Sequence, residues 1–403
     1  MPRRVFAMKE NIYDNYDEKF PITYWYGPPA EKTTVPVYRQ VAEAGFTLGG
    51  SMGESGKTVG ENLKMLDACF ANGMKGLVID GRMDKIIAGA EGWEQLAADM
   101  VEDYSAHPAL FGYYVTDEPD TTKFEALGRV VEIFRRLDSK HPTYINLFPN
   151  YATAEQLKAP NYYTYVEEYI KICKPDFVSY DHYHFLSVPD PDARVEETSD
   201  ERENLIRKSA MINVDRGGFF DNIEDVRNLC EKYNLPFMVI ILLIQHGPYR
   251  YLTEGEIRFE AFQSLCYGAK YLSYFTYWTV IDSPDSWWKW REALVDENGC
   301  VLRHYYDVQK VNRDVARWGK ILKKRKNLKV MHYGPEKERV VNYKPDEIVN
   351  SISGDCRLTI GEFEDGIVAI ANKDFTGKAV FEIEKNNKKY SITLEAGDMI
   401  VIQ

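Results

Sequence analysis

The sequence of 403 residues predicts an α/β fold, a (β/α)8 TIM barrel followed by a small all-β domain. Two observations carry this prediction. Apolar, strand-like runs alternate with helical patterns eight times, as expected for a parallel sheet that is buried on both faces. Beyond about residue 328 the pattern changes to short alternating segments punctuated by Gly, Asn and Asp, which is typical of antiparallel strands.

We therefore place the barrel at residues 10–325 and a C-terminal β-sandwich domain at residues 329–403. An open, doubly wound sheet is the alternative for the first region, because a count of strands does not show that the sheet closes.

The eight barrel strands follow from apolar runs that helical stretches separate. In chain order the strands are PITYWYG (21–27), FTLGG (46–50), GLVIDG (76–81), ALFGYYVTDEP (109–119), TYINLFP (143–149), DFVSYDHYHF (176–185), FMVIILLIQ (237–245) and YLSYFTYWT (271–279). The charged segment 186–220 is longer than an ordinary strand–helix loop, and we interpret it as an insertion over the active face of the barrel.

The composition and net charge of the chain indicate which kinds of molecule it binds. The formal charge of −12 disfavours nucleic acid and anionic membranes, and the longest apolar run is far too short to span a bilayer. The 28 Tyr and 7 Trp offer apolar faces with polar tips, which suit sugar rings and their hydroxyls. We predict a carbohydrate substrate, no nucleic acid partner and no membrane partner, and leave the oligomeric state open.

The N-terminal stretch lacks the apolar core of a signal peptide. This favours a cytoplasmic location, with a secreted or periplasmic one left open in case a signal was removed. Six Cys lie far apart and form no CxxC pair, so neither a zinc site nor a redox motif is indicated.

In barrels of this kind the chemistry lies at the C-terminal ends of the strands. Polar and aromatic side chains follow each predicted strand, and we expect substrate contacts from Trp25, Asp80, Asn146, His182, Tyr183, Gln245, Tyr277 and Trp278. After the eighth strand, the segment DSPDSWWKWRE (282–292) predicts a loop in which Trp287, Trp288 and Trp290 wall the pocket.

The strongest catalytic candidate is Glu118, in the stretch VTDEP at the end of the fourth strand. Cleavage of a glycosidic bond needs a carboxylic acid that protonates the leaving oxygen, and it usually needs a second carboxylate. Glu118 follows an apolar strand, so desolvation would raise its pKa and keep it protonated near neutral pH.

VTDEP resembles the Asn-Glu motif that ends the fourth strand in clan A glycoside hydrolases, which include families 5 and 42, with Asp117 in place of Asn. The stretches SYDHYHF and GAKYLSYFTYW resemble barrel proteins similar to family 42 that carry a small C-terminal β domain. The resemblance implies a glycoside hydrolase with Glu118 as its acid. It also implies a nucleophilic Glu at the end of the seventh strand, where this sequence has Gln245.

Because Gln245 stands where the resemblance implies a nucleophilic Glu, three hypotheses about the mechanism are open. Asp181, after the sixth strand, is the candidate base of an inverting enzyme. Alternatively, Asp117 and Glu118 resemble the Asp-Glu pair of substrate-assisted hexosaminidases of families 20 and 123, in which the Asp orients the 2-acetamido group of the substrate and a Tyr such as Tyr183 or Tyr277 helps to hold it. The third hypothesis is a carbohydrate-binding barrel without catalytic activity.

Two other motifs are incomplete as nucleotide-binding or metal-binding sites. GSMGESGKT (50–58) misses the P-loop pattern by one position, because Ser51 stands where the first Gly is required. His182 and His184 beside Asp181 have a spacing that suits a metal ion, but a third ligand is not evident. We predict no metal and no cofactor.

Overall fold

The computed structural model describes residues 19–50, 52–53, 56–190, 211–281 and 289–403. The strands are β1 Ile22–Trp25, β2 Leu48–Gly49, β3 Lys75–Val78, β4 Leu110–Asp117, β5 Thr143–Leu147, β6 Val178–Asp181, β7 Phe185–Pro189, β8 Met211–Asp215, β9 Phe237–Leu242, β10 Tyr271–Phe275, β11 Asn327–Tyr333, β12 Val349–Ser353, β13 Leu358–Phe363, β14 Ile367–Asn372, β15 Ala379–Lys385, β16 Lys388–Leu394 and β17 Met399–Ile402.

The helices alternate with these strands. They are α1 Val35–Glu43, α2 Val59–Ala71, α3 Met83–Ile87, α4 Trp93–Tyr104, α5 Phe124–Leu137, α6 Ala154–Leu157, α7 Tyr162–Cys173, α8 Phe219–Tyr233, α9 Glu254–Cys266 and α10 Arg303–Leu322. Short 3₁₀ turns cover Ala30–Lys32, Thr121–Lys123 and Glu364–Gly366.

Eight parallel strands form the central sheet in the order β1-β10-β9-β6-β5-β4-β3-β2. Its two edges meet, because the Tyr26 N–H donates to the Met52 carbonyl at 2.9 Å and the Thr47 N–H donates to the Ile22 carbonyl at 3.0 Å. The predicted barrel is confirmed, and these bonds across β1 and β2 supply the closure that a count of strands does not show.

Two hydrophobic layers hold the barrel. Large side chains that point inward fill its interior, among them Trp25, Phe111, Tyr144 and Tyr271. The helices pack their apolar faces on the outside of the strands; α5 is a clear case, with Leu127, Val130, Val131 and Phe134 buried along one stripe.

The predicted insertion 186–220 contains the antiparallel hairpin β7–β8; residues 191–210 of that segment lie outside the described residues. Arg250, in the loop after β9, holds the hairpin to the barrel. Its guanidinium donates to the carbonyls of Leu186 at 3.1 Å and Val214 at 2.9 Å, and it forms an ion pair with Asp215 at 3.1 Å. The hairpin is therefore fixed beside the ends of β6 and β9.

After α10 the chain forms two antiparallel sheets, β11-β13-β14-β17 and β12-β15-β16, which share one hydrophobic core. The predicted all-β region is confirmed in this form. The first sheet lies against α9, where the Cys266 thiol is 3.6 Å from the Met399 sulfur. Among the described residues, no helix is long and apolar enough to cross a bilayer.

Candidate active site

A pocket of about 350 Å³ opens at the C-terminal ends of the barrel strands, a volume in the range of small-ligand sites. Three carboxylates line it: Asp117, Glu118 and Asp181. The side chains that surround them are mostly aromatic, including Trp25, Tyr151, Tyr183, Tyr249, Phe275 and Trp290. Aromatic rings can stack on sugar rings, and carboxylates can act as the acid and base of glycosidic cleavage.

The register of the neighbouring strands brings the polar groups together. Asp117 on β4 is paired with Asn146 on β5, and Asn146 is paired with Ser179 on β6. Because all three strands are parallel, residues at the same height meet at the same end of the barrel. Asp181 lies two residues beyond Ser179, so its side chain points to the same side of β6.

Asn146 links two of the acids. Its Nδ2 donates to Asp117 Oδ1 at 3.0 Å and to Asp181 Oδ1 at 3.0 Å, so these two oxygens are no farther apart than the sum of the two bonds. The Ser179 hydroxyl donates to Asn146 Oδ1 at 3.0 Å. Since that oxygen must accept, the amide is oriented with its nitrogen toward the acids.

Glu118 follows the last residue of β4 and has a positive φ of 41°. Its N–H donates to the Asn146 carbonyl at 2.9 Å, which continues the pairing of β4 with β5 by one residue. A non-glycine residue in this region is uncommon, and such backbone geometry concentrates at functional sites.

Burial and mutual repulsion raise the pKa values of the acids. For Glu118, desolvation is the largest cause, followed by the negative charges of Asp181 and Asp117, and together they hold its pKa far above the ordinary range. Desolvation and Asp117 raise the pKa of Asp181, against the hydrogen bond from Asn146. Asp117 is reached by solvent through the pocket yet is enclosed by protein on most sides, and desolvation raises its pKa to about 6.

The aromatic wall is built from loops on several strand ends. The Trp290 ring stacks on His246 with centroids 4.4 Å apart, and Tyr183 packs against Phe275 at 5.4 Å and Tyr249 at 5.3 Å. His246 Nδ1 lies 2.8 Å from the Ile244 carbonyl, and burial lowers the pKa of this imidazole to about 4. His246 is therefore a neutral ring at physiological pH.

The structure brings six of the residues singled out in the sequence to the pocket: Trp25, Asp117, Glu118, Asn146, Asp181 and Tyr183. Trp290 also lines it, whereas Trp287 and Trp288 lie outside the described residues. The roles expected for these side chains remain predictions.

Five other predicted contacts do not line the pocket. Asp80 is turned to Arg82, with bonds of 2.8 and 2.7 Å, and to the Tyr104 hydroxyl at 2.6 Å, so it is a structural ion pair. His182 is buried against the edge of the Tyr151 ring, 5.2 Å between centroids. Gln245 lies beyond the end of β9, where its carbonyl accepts from the Arg291 N–H at 2.9 Å.

The remaining two are Tyr277 and Trp278. β10 ends at Phe275, and the N–H groups of Tyr277 and Trp278 bond to the carbonyls of Trp25 and Tyr26 at 3.0 and 2.7 Å. Both side chains are buried in the hydrophobic layer between the strands and the helices, away from the pocket.

Sequence reasoning missed Tyr151 and Tyr249, and it named His246 only as the end of a strand. Each stands in a loop a few residues after a barrel strand, and that position was the available signal. Across the described residues, no group of three His, Cys, Asp or Glu side chains is arranged to hold a metal ion.

The sequence matches no protein-family model and no curated protein. Solved structures are similar in fold. A family 39 glycoside hydrolase from Bacteroides cellulosilyticus WH2 matches with a TM-score of 0.55 at 11% identity, over 95% of this chain and 81% of that one.

The β-galactosidases from Bacillus circulans sp. alkalophilus and Rahnella sp. R3 match with TM-scores of 0.51 and 0.50 at 12% and 13% identity. Each comparison covers 78% of this chain and 58% of the β-galactosidase, so the chain spans about six tenths of their length. The chain thus has the barrel fold of the clan A glycoside hydrolases, and identities this low show the fold alone.

Proposed function

We propose that this protein is a glycoside hydrolase that cleaves the O-glycosidic bonds of an oligo- or polysaccharide, with Glu118 as the general acid. The observation that carries the proposal is the grouping of Glu118, Asp117 and Asp181 in one aromatic pocket at the strand ends. The similarity in fold to glycoside hydrolases supports it.

The order of proton affinities supports the proposed roles of the three acids. The pKa of Glu118 is raised by burial and by both neighbouring acids, so Glu118 holds a proton that it can donate to the leaving oxygen. Asn146 donates to both other carboxylates and thereby favours their charged forms. In the proposed reaction Asp181 is the base that activates water, and Trp25 and Tyr183 contact the sugar ring.

A second mechanism is favoured by one observation on the chain. The segment from β9 to α9 contains neither Asp nor Glu before Glu254, so a nucleophile at the end of the seventh barrel strand is missing. In a substrate-assisted N-acetylhexosaminidase no such nucleophile is needed. Asp117, anchored by Asn146 and open to the pocket, would orient the 2-acetamido group, and Tyr183, unlike Tyr277, lines the same pocket.

The deciding experiment is a hydrolysis screen over aryl glycosides and oligosaccharides with and without a 2-acetamido group. Wild type is compared with Glu118→Gln and with Glu167→Gln, a matched change on the outer surface of α7. We expect Glu118→Gln to lose at least about 10²-fold in kcat/KM and Glu167→Gln to retain full activity.

Turnover restricted to 2-acetamido sugars would assign the substrate-assisted mechanism. Equal activity of wild type and Glu118→Gln would overturn the role of Glu118. Saturable sugar binding with no turnover of any substrate would overturn the enzymatic proposal and leave a carbohydrate-binding barrel.

A further inference from the structure

A second cavity, of about 410 Å³, lies between the β7–β8 hairpin and the C-terminal sheets. The barrel side contributes His184, Asp215 and Arg216, and the C-terminal side contributes Glu336, Arg357 and Lys373. Its described lining holds four cationic side chains, including Lys337, beside three carboxylates, whereas the described lining of the first pocket has carboxylates without any Lys or Arg.

Lys373 is 3% exposed, which requires that its charge be matched. Its Nζ bonds to the Glu336 carboxylate and lies 2.9 Å from His332 Nδ1. The same Nζ is 4.3 Å from the centre of the Phe220 ring. This buried ion pair forms the base of the cavity.

Each carboxylate that lines the cavity has an ion-pair or hydrogen-bond partner. Asp215 pairs with Arg250 at 3.1 Å, and Glu336 pairs with Lys373. Glu338 accepts from the backbone N–H groups that begin α8, those of Gly218, Phe220 and Asp221, at 3.0, 2.6 and 3.1 Å.

Two guanidinium groups remain without such a partner. Within the described ranges, neither Arg216 nor Arg357 has a carboxylate at ion-pair distance. Arg216 instead lies over the Tyr151 ring, 3.8 Å from its centre, and donates to the Tyr249 hydroxyl at 3.4 Å. A planar guanidinium with open donors is the group that best binds carboxylate, sulfate or phosphate.

His184 gives a second, independent observation. It is 8% exposed and lines the cavity, and its buried Nδ1 has no hydrogen-bond partner among the described residues. Buried polar atoms are nearly always paired, so an orphaned nitrogen in a cavity wall indicates that a ligand or water completes the site.

Arg216 joins this cavity to the first pocket. Tyr151 and Tyr249, which it contacts, both line the pocket that holds Glu118, whereas the guanidinium itself lines the second cavity. A ligand that extends across this shared wall would meet carboxylates on one side and cations on the other.

We propose that the second cavity binds the anionic group, a carboxylate or a sulfate, of an acidic sugar unit in the same oligosaccharide whose glycosidic bond lies in the first pocket. This inference rests on the proposed function, and it names an acidic oligosaccharide as the substrate class. Arg216 and Arg357 bind the anion, and the ion pair of Lys373 with Glu336 lies at the base of the cavity.

The test is calorimetric binding to Glu118→Gln, which separates affinity from turnover. The ligands are a hexuronate-containing oligosaccharide, its neutral counterpart and a sulfated neutral oligosaccharide, with inorganic sulfate as competitor. We expect one of the acidic ligands to bind about 10-fold or more tightly than the neutral one, with an advantage that falls as salt increases.

The second substitution is Arg357→Gln in the same background. It should remove most of the advantage of the acidic ligand, and Arg357→Lys should retain part of it. Arg129→Gln, on the outer surface of α5, is the matched control and should change nothing. Preference for the hexuronate or for the sulfated ligand identifies which anion the cavity takes, and competition by inorganic sulfate at equal affinity would reduce the site to one for free anions and overturn the proposal.

Equal affinity for acidic and neutral oligosaccharides, or no saturable binding of any acidic ligand, also overturns the inference. Hydrolysis of neutral glycosides by wild type without any preference for acidic ones would reject this inference and leave the proposed function intact. Binding of acidic ligands that depends on Arg357, with no hydrolysis by wild type, would reject the proposed function and leave the anion site.

Discussion

The two cavities share a wall, where Arg216 contacts Tyr151 and Tyr249, and they differ in how their charged groups are partnered. In the first, Asp117, Glu118 and Asp181 have no Lys or Arg among the described lining residues, and burial raises all three pKa values. In the second, each carboxylate has a partner and the guanidinium groups remain open.

The difference shows that the partners of a charged group near a protein core indicate whether the group stabilises the fold or is available for chemistry. A carboxylate bonded to a cation or to a helix N-terminus, such as Glu336 or Glu338, stabilises the fold. Acids that repel each other in a pocket do not stabilise the fold, and they are therefore the candidates for chemistry.

The largest effect should come from the first pocket. Asp181→Asn removes the proposed base, and we expect kcat/KM to fall about 10²–10³-fold while Asp117→Asn costs less. Steady-state kinetics with the best substrate from the hydrolysis screen would measure both. The reverse order, with Asp117→Asn more damaging and confined to 2-acetamido sugars, would instead support the substrate-assisted mechanism.

The next effect is on stability and comes from a substitution in the second cavity. Glu336→Gln leaves the buried ammonium of Lys373 without its carboxylate, and we expect the free energy of unfolding to fall by roughly 3 kcal/mol. Urea denaturation measures it. The matched control is Glu395→Gln, whose partner Lys378 is exposed on the same C-terminal region, and it should cost less than about 0.5 kcal/mol. Equal losses in the two variants would contradict a structural role for the buried pair.

The smallest effect is a gain. Because the folded-state pKa of Glu118 is raised, the folded protein keeps a proton that the unfolded chain loses above about pH 4.5, so this group lowers stability as pH rises toward the raised pKa. Glu118→Gln removes the penalty, and we expect its melting temperature at pH 8 to rise by about 1–3 °C, with a smaller gain at pH 5.

Scanning calorimetry at the two pH values checks this. Glu167→Gln should show no gain, because hydrogen bonds from Lys232, Lys171 and Tyr233 lower the pKa of Glu167 to about 2. A melting temperature of Glu118→Gln that is unchanged or lower at pH 8 would show that Glu118 is a paired, stabilising acid.

The barrel and the acids at its mouth were predictable from sequence, because both depend on local pattern. Runs such as FMVIIL are apolar at every position, which only a strand buried on both faces allows, and VTDEP interrupts such a run with two acids. The positions of Trp25, Asn146 and Tyr183 in the pocket follow from their place at the ends of β1, β5 and β6.

Other predicted substrate contacts lie outside the pocket, for reasons that no local sequence pattern contains. Asp80 resembles a site residue in the sequence, but Arg82 and Tyr104 take up both of its oxygens. Tyr277 and Trp278 stand at the end of an apolar run, yet β10 ends at Phe275 and both side chains pack in the hydrophobic layer between the strands and the helices.

The sequence by itself determined the alternation of strands and helices, the change to antiparallel strands after the barrel, and the acids that follow β4 and β6. Periodicity and residue type record these features locally. Only the tertiary structure decided that one amide, Asn146, bonds to Asp117 and Asp181, and that Arg216 separates an acidic pocket from a basic cavity. Such contacts join residues 29 to 65 positions apart, and they depend on strand register and barrel closure, which hydrophobic pattern alone does not specify.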